Sequence, residues 1–276
     1  MVTSGFQMFD QNIRETYDLS VELRQSCETL STYLQDSTTV KTEQLNSAVA
    51  IIKKEWFKII NNKFVNSYEV EDYMSSFNEL SNSLLKYVVN ISDDNGNTAI
   101  HYAVSNCNYE VVSLLMDTEA VDIDKPNKAG YTPIMLAALT NNLTAEHRQV
   151  VFSLFSRGNI NAKASQAGQT ALMLAVSHGR TNMVRLLLDS GADINERDFD
   201  GSTALMCACE HGHTDIVKML LGQPDCDANL RDNDGSTALE IAMEAGFKDI
   251  GVILYAHLNF TKPLSPGILK GRKTSN

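Results

Sequence analysis

The chain has little that would place it in a membrane or in an oxidising compartment. It has 276 residues, and no run of about 18 apolar residues occurs, so the sequence predicts no membrane span. The first ten residues lack a basic segment followed by an apolar run, which excludes a typical secretory signal. The five cysteines are scattered and odd in number. This usage is typical of a reducing compartment rather than of a disulfide framework.

Basic residues are also scarce. With 23 Lys and Arg against 34 Asp and Glu, the net charge is −11, which argues against a nucleic-acid partner because phosphate binding needs a basic surface. Residues 193–249 contain 13 acids against four basic residues, a balance of 4 − 13 = −9. Such a field favours the approach of a basic partner, or it only keeps the protein soluble. Composition leaves both interpretations open.

Recognisable catalytic motifs are missing too. We find no Gly-x-Ser-x-Gly, no phosphate loop and no zinc motif in the sequence. Metal-ligating residue types do cluster at Cys207, Cys209, His211 and His213. However, residues two apart on a helix point about 200° away from each other, so this spacing does not suit one site. We therefore expect no enzyme activity, no cofactor and no metal.

Glycine is absent from residues 6–95 and then recurs at regular intervals. The spacings are 34, 38, 33 and 34 residues, between Gly96, Gly130, Gly168, Gly201 and Gly235. In each block a turn at the glycine precedes a threonine that can cap a helix rich in small residues, and a more aliphatic helix follows. A fixed period of this size predicts stacked helix pairs. Because the two helices differ in size, we expect the stack to curve and to form one concave face.

The region before the first glycine block is predicted to be helical but not periodic in this way. Leu19, Leu23, Leu30 and Leu34 recur at helical spacing, and a second apolar face includes Trp56, which we expect in the core. We predict a flexible N-terminus over residues 1–14 and a helical cap over 15–91 that covers the open end of the array. Five repeats over 92–260 and a flexible basic tail over 261–276 follow.

The five blocks resemble the ankyrin repeat, through Gly-x-Thr-Ala/Pro-Leu, two antiparallel helices and the loop Gly-Ala-Asp-Ile-Asn at residues 191–195. The resemblance implies an all-α fold, an ankyrin-repeat solenoid of five repeats with an N-terminal helical capping unit. Ankyrin repeats usually place a histidine after the leucine of the first helix. Here only His101 keeps it, and the other four repeats carry Met135, Met173, Met206 and Glu240.

A wider resemblance rests on residues 95–102, 127–132, 161–180 and 201–213, on Trp56-Phe57 and on residues 254–260. These segments are similar to the C-terminal half of the KN-motif and ankyrin-repeat (KANK) family. The resemblance implies a cytoplasmic adaptor at the cell cortex or at adhesions that binds a kinesin-4 class motor and links it to microtubules and actin regulation. The family's talin-binding motif and coiled coil have no counterpart here, so we expect a piece of a longer protein.

We expect the concave face to bind a peptide with aliphatic anchors and basic flanks. Tyr131 and Phe199 would be aromatic anchors, unless their rings lie on a neighbouring turn, and the methionines would form a pliable apolar stripe, unless they pack between repeats. Asp198 and Asp232 should hold their turns, whereas Asp200 and Asp234 should be free to meet cations. The expected peptide-binding residues are Tyr131, Met135, Leu139, Gln169, Met173, Ser177, His178, Phe199, Asp200, Met206, Glu210, His211 and Asp234.

An alternative function remains open from the sequence. The tail after residue 260 has four basic residues and no acid. Under this second hypothesis the protein is a self-association or autoinhibitory scaffold, in which the basic tail occupies the acidic groove of the same or another chain.

Overall fold

A computed structural model describes residues 14–141 and 143–260. Over these residues the protein has fourteen α-helices and no β-strand, which confirms the predicted all-α class. None of these helices is both long enough and apolar enough to cross a bilayer. The expected flexible N-terminus and the basic tail at 261–276 lie outside the described residues, except for Arg14. The chain divides into two compact units, residues 1–128 and 129–276, which are described separately.

The first unit consists of three longer helices, a short fourth helix and one pair of short helices. They are α1 (Val21–Gln35), α2 (Thr42–Ile60), α3 (Ser67–Leu80), α4 (Asn82–Val89), α5 (Ala99–Ser105) and α6 (Tyr109–Asp117). Helix α1 packs on α2 and α4, while α2 also contacts α5 and α3 also contacts α6. The helical cap therefore packs directly on the first repeat of its own unit.

Trp56 lies at the centre of the cap, as predicted. Its side chain is only 1% exposed, and its ring meets the ring of Phe77 edge to face, with 5.8 Å between the centroids. Ser20, Asn66 and Ser81 cap helices α1, α3 and α4 by accepting backbone amides. Polar caps at the helix ends and an aromatic pair between the helices thus define this part of the fold.

The second unit consists of four helix pairs in sequence. They are α7 (Pro133–Ala138) with α8 (Ala145–Arg157), α9 (Ala171–Ser177) with α10 (Thr181–Asp189), α11 (Ala204–Glu210) with α12 (Thr214–Leu221), and α13 (Ala238–Glu244) with α14 (Lys248–Phe260). The first helices of the pairs form one row, in which α9 contacts α7 and α11, and α11 contacts α13. The second helices form another row through α8, α10, α12 and α14. We call these the inner and outer rows.

The second repeat has the longest glycine spacing, 38 residues, and many of its extra residues lie in the connector between its two helices. Residues 139–144 connect α7 to α8, whereas only residues 178–180 connect α9 to α10. One further residue lengthens the next turn, because three residues separate Ala164 from Gly168 but two separate Asp198 from Gly201. The insertion is therefore divided between a helix connector and a turn.

The turns that precede the inner helices stack on one another, and we call them fingers (residues 164–169, 198–202 and 232–236). The Phe199 amide donates to the Ala167 carbonyl at 3.0 Å, and the Asn233 amide donates to the Asp200 carbonyl at 2.9 Å. A Cβ placed on Gly168 would lie 2.5 Å from Cδ1 of Phe199, so a side chain there would displace the next finger. Glycine serves here both for its positive φ of 72° and for this close approach.

Replacement of this glycine should therefore cost more than replacement of its counterpart in the last finger. Gly235 has a φ of 86° but no atom within 4 Å of a built Cβ. Gly235→Ala should lose about 1–2 kcal/mol from left-handed strain alone, and Gly168→Ala should lose clearly more because the Phe199 ring must also move. Urea unfolding of both variants measures the difference. Equal losses would contradict the account of finger stacking.

Candidate functional site

One position of the inner helix forms the same contact in all five repeats. It is the third residue after the capping threonine, and its side chain accepts the backbone amide of that threonine. His101 uses Nδ1 at 3.1 Å, the three methionines use Sδ at 3.4–3.5 Å, and Glu240 uses Oε2 at 2.7 Å. A thioether is a weak acceptor, yet it replaces the histidine at the same place in the capping box. The threonine caps predicted from the sequence are thus present, with a sulfur variant of their partner.

This contact corrects the interpretation of the methionine stripe. Met135 and Met173 are each 1% exposed and Met206 is 2% exposed, so none of them offers surface to a peptide. Each sulfur points back to its own helix start because the amide of the capping threonine needs a partner. The packing alternative is therefore the correct one for these three residues.

Two helices of the inner row, α9 and α11, are closed along almost their whole length. Residues 171–176 of α9 and residues 204–209 of α11 are all buried. These helices are covered on their sides by neighbouring inner helices and behind by the outer row. The expectation of an apolar lining in the middle of the groove is therefore wrong for α9 and α11. Accessible side chains remain at the two ends of the inner helices, the fingers and the connectors.

The connector ends of the inner helices are largely occupied by contacts between repeats. Arg180 Nε donates to the Leu139 carbonyl at 3.2 Å, and His213 Nε2 donates to the Ser177 carbonyl at 3.2 Å. His178 Nδ1 donates within its own helix to Leu174 at 3.0 Å. The carbonyls of Leu139 and Ser177 therefore hold the connectors together, and their side chains are half-buried.

Glu210 and His211 lie at the same end of α11 and are exposed. The finger end and the connector end of an inner helix of seven residues are separated by about 10 Å, since an α-helix rises 1.5 Å per residue. The expected site residues in the fingers and those at the connector ends, such as Glu210 and His211, therefore lie at opposite ends of the buried inner helices.

Two aspartates in the fingers have a structural task, as predicted. Asp198 Oδ1 accepts the amides of Asp200 at 3.0 Å and Ser202 at 2.8 Å. Asp232 Oδ1 accepts those of Asp234 at 3.1 Å and Ser236 at 2.8 Å. This arrangement confirms the prediction that the aspartates three positions before each glycine hold the turn. Asp200 and Asp234, one position before each glycine, are both exposed.

The aromatic residues of the fingers differ in exposure. Phe199 is 57% exposed, although one side of its ring lies against Gly168 of the preceding finger. Tyr131 and Gln169 each follow a finger glycine and are half-buried. The alternative of a ring lying on the neighbouring finger thus applies in part to Phe199, although the residue as a whole stays exposed. We call Tyr131, Gln169, Phe199, Asp200 and Asp234 the finger edge.

The cluster of cysteines and histidines near α11 is dispersed by the fold. Cys207 and Cys209 are buried, and burial raises the pKa of each thiol to about 12, so both stay protonated at neutral pH. His211 is exposed at the helix end, and His213 is bonded to Ser177. Within residues 14–141 and 143–260, no three His, Cys, Asp or Glu side chains are grouped to hold a metal.

The sequence analysis did not identify the side chains that form hydrogen bonds between adjacent repeats. Asn161 Oδ1 accepts the Asp193 amide, and Asn195 Oδ1 accepts the Asp227 amide, both at 2.9 Å. Arg197 Nη2 donates to the Arg231 carbonyl at 2.6 Å. The asparagines could have been found, because each occupies the same position, just after the loop between repeats.

The finger turns, the capping threonines and the two rows of helices define an array of stacked helix pairs. A sequence model of ankyrin repeats (three copies) matches residues 73–164, 119–198, 144–232 and 198–262. The chain belongs to the ankyrin-repeat family. Ankyrin repeats point to a protein–protein interaction module.

The similar proteins match the chain over a little more than a third of its length. The chain is 34% identical over 102 residues to "Ankyrin repeat and SAM domain-containing protein 6" of Rattus norvegicus and of Mus musculus, which covers 37% of this chain and 11% of each relative. It is 35% identical over 111 residues to "Alpha-latrotoxin-Lhe1a" of Latrodectus hesperus, which covers 39% of this chain and 8% of the toxin. The chain thus spans about a tenth of the length of the curated relatives it matches.

The glutamate in the last capping box should make that repeat sensitive to acid. Hydrogen bonds from the Thr237 amide and hydroxyl, and then the charge of Arg231, lower the pKa of Glu240 below its ordinary value of 4.5. A carboxyl with a lowered folded pKa stabilises the fold above the unfolded pKa, and this stabilisation is lost as the pH falls through the folded pKa. The sensitive window is therefore below pH 4.5.

Glu240→Met introduces the residue that three other repeats have at this position. We expect the wild type to have the higher Tm from pH 7 to pH 5, and the difference to shrink between pH 4.5 and pH 3. Thermal unfolding across this range measures it, with Glu244→Gln, an exposed acid of the same helix, as the control. A difference between wild type and Glu240→Met that does not change with pH would refute the assignment.

Proposed function

We propose that this chain is a non-enzymatic adaptor whose finger edge binds a basic peptide segment of a partner protein. The observation that carries the proposal is that two of the finger aspartates accept backbone amides of their own turns and two others are exposed. Asp198 and Asp232 are used up by their turns, whereas Asp200 and Asp234 are exposed on successive fingers beside the accessible ring of Phe199. An aromatic surface flanked by carboxylates suits a peptide with apolar anchors and neighbouring Lys or Arg.

The charge around this edge supports the same proposal. The balance of −9 over residues 193–249 surrounds the last two fingers and should speed the approach of a basic partner at low salt. Glu210 at the far end of α11 lies about 10 Å away and would meet a second cation of the same segment. The affinity would then depend on a few aromatic anchors, and the charges would govern the association rate.

For the identity of the partner, we propose a stalk segment of a kinesin-4 class motor, which would make the protein a cortical link between adhesions and microtubules. This part rests on the resemblance of the sequence to the KN-motif and ankyrin-repeat family. A kinesin-4 stalk peptide is therefore the first ligand to test, and an unrelated peptide with the same Lys and Arg content is the comparison that separates the motor from any basic segment.

The charge prediction concerns the two free aspartates. Asp200→Asn with Asp234→Asn should weaken binding of the kinesin-4 stalk peptide about 3–10-fold at physiological salt, mainly by slowing association. It should also flatten the salt dependence of the affinity. Stopped-flow fluorescence with a labelled peptide measures both quantities. The matched control is Asp189→Asn, an exposed acid on outer helix α10, and an equal effect from this control would refute a local site.

The aromatic prediction concerns the anchors. Tyr131→Ala and Phe199→Ala should each weaken peptide binding at least tenfold, because a buried aromatic anchor contributes roughly 1.5–3 kcal/mol. Phe152→Ala, on outer helix α8, should leave the affinity unchanged although its ring is also exposed. Isothermal titration calorimetry measures all three. Unchanged affinity in both finger variants would rule out the finger edge as the binding surface.

A further inference from the structure

The last repeat exposes an apolar surface, and the inner-helix part of this surface is buried in every preceding repeat of the second unit. A groove of about 430 Å³ lies between α13 and α14 and is lined by Leu239, Met243, Lys248, Gly251, Val252 and Tyr255. Met243 is 51% exposed, Val252 is 68% exposed and Tyr255 is 57% exposed. We call these apolar residues, with Leu239 and Gly251, the end face.

At the equivalent positions one repeat earlier, the apolar side chains are buried by the repeat that follows. Leu205 and Cys209 on α11, which correspond to Leu239 and Met243, are 2% and 0% exposed. Val217 on α12, which corresponds to Gly251, is also fully buried. These residues are covered because α11 packs on α13 and α12 packs on α14. The end face is thus a docking surface of the standard repeat kind without a following repeat among the described residues.

The end of the array also departs from the repeat pattern in its residue types. α14 has Val252 where α12 has the exposed Lys218, so an apolar side chain stands where a preceding repeat shows a charge to solvent. The rings that cover the connector glycines end here as well. Phe247 lies against Gly212, but among residues 14–141 and 143–260 no atom lies within 4 Å of a Cβ built on Gly246. A large exposed apolar patch of this kind marks an interaction surface.

We propose that the end face is covered by the segment that follows it in this same chain, residues 261–276. This segment contains Leu264, Ile268 and Leu269, which can fill an apolar groove, and Lys270, Arg272 and Lys273 with no acid. Two exposed acids, Glu244 and Asp249, are the chain neighbours of the groove residues Met243 and Lys248, so acidic side chains are available to the basic residues of the segment.

The length of the segment is sufficient for this contact. Phe260 ends α14, and Val252 lies about 12 Å back along the helix at 1.5 Å per residue. Eight residues of extended chain, from Phe260 to Ile268, reach about 26 Å. Pro266-Gly267 is a dipeptide that favours chain reversal. Direct attachment also raises the local concentration of the segment to the millimolar range, so a modest contact suffices.

The same substitutions made in the full chain and in a chain truncated after Phe260 test this inference independently of the finger edge. Val252→Glu and Tyr255→Glu change exposed side chains, so they should be nearly silent on an open face but destabilising on a covered one. We expect each to lower the Tm of the 276-residue chain by about 2–4 °C and to have almost no effect in a chain truncated after Phe260. Phe152→Glu, which also alters an exposed ring, should have the same effect in both chains.

A second measurement reports on the segment itself. Leu264→Ser, Ile268→Ser and Leu269→Ser together should speed hydrogen exchange of the α13 and α14 amides about tenfold, as truncation should, whereas Thr274→Ala with Ser275→Ala should not. Equal Tm shifts in the full and truncated chains would overturn the proposal. So would a dimer, seen in sedimentation, that survives truncation and dissociates with Val252→Glu, because a second copy would then be the occupant.

Discussion

Each repeat of the second unit depends on its neighbour to bury its apolar surface. The inner helices have only six or seven residues, too few to be stable alone in water, and their side chains become buried only when the adjacent pair is in place. The dependence extends to the turns, where the Phe199 ring occupies the space in front of Gly168. Neighbour contacts, and not any one helix, are therefore what stabilises this array.

The stacking of repeats determines which surfaces remain accessible to a ligand. Stacking uses the inner row, the connectors and the turn-holding aspartates, so the accessible side chains are left at the edges and at the end of the stack. The finger edge is acidic and carries one accessible aromatic ring, whereas the end face is apolar and has acids only at its rim. The two surfaces therefore suit different ligands, a basic peptide in one case and an apolar segment in the other.

The sequence was sufficient to predict the features that depend on local chemistry. The glycine period located the turns, the threonines located the inner helices, and the roles of Asp198 and Asp232 followed from turn geometry. The methionines could not be assigned in the same way, because a thioether is equally suited to a peptide groove and to a packed interior. Their burial follows from the neighbouring helices, and their bond to the capping threonine appears only when Met173 is compared with His101 in three dimensions. The open end face was not predicted either, although the sequence contains one sign of it, because Val252 stands where α12 has Lys218.

The most direct test of the central claim is the mapping of amide chemical shifts when a kinesin-4 stalk peptide is added to isotope-labelled protein. We predict that the perturbed amides belong to residues 198–202 and 232–236 and to Tyr131, and that residues 171–176 and 204–209 of the buried inner row do not respond. Perturbations centred on those inner helices, with the fingers unaffected, would mean that the row opens to receive the peptide. That result would contradict the claim that stacking leaves only the edges and the end of the array for binding.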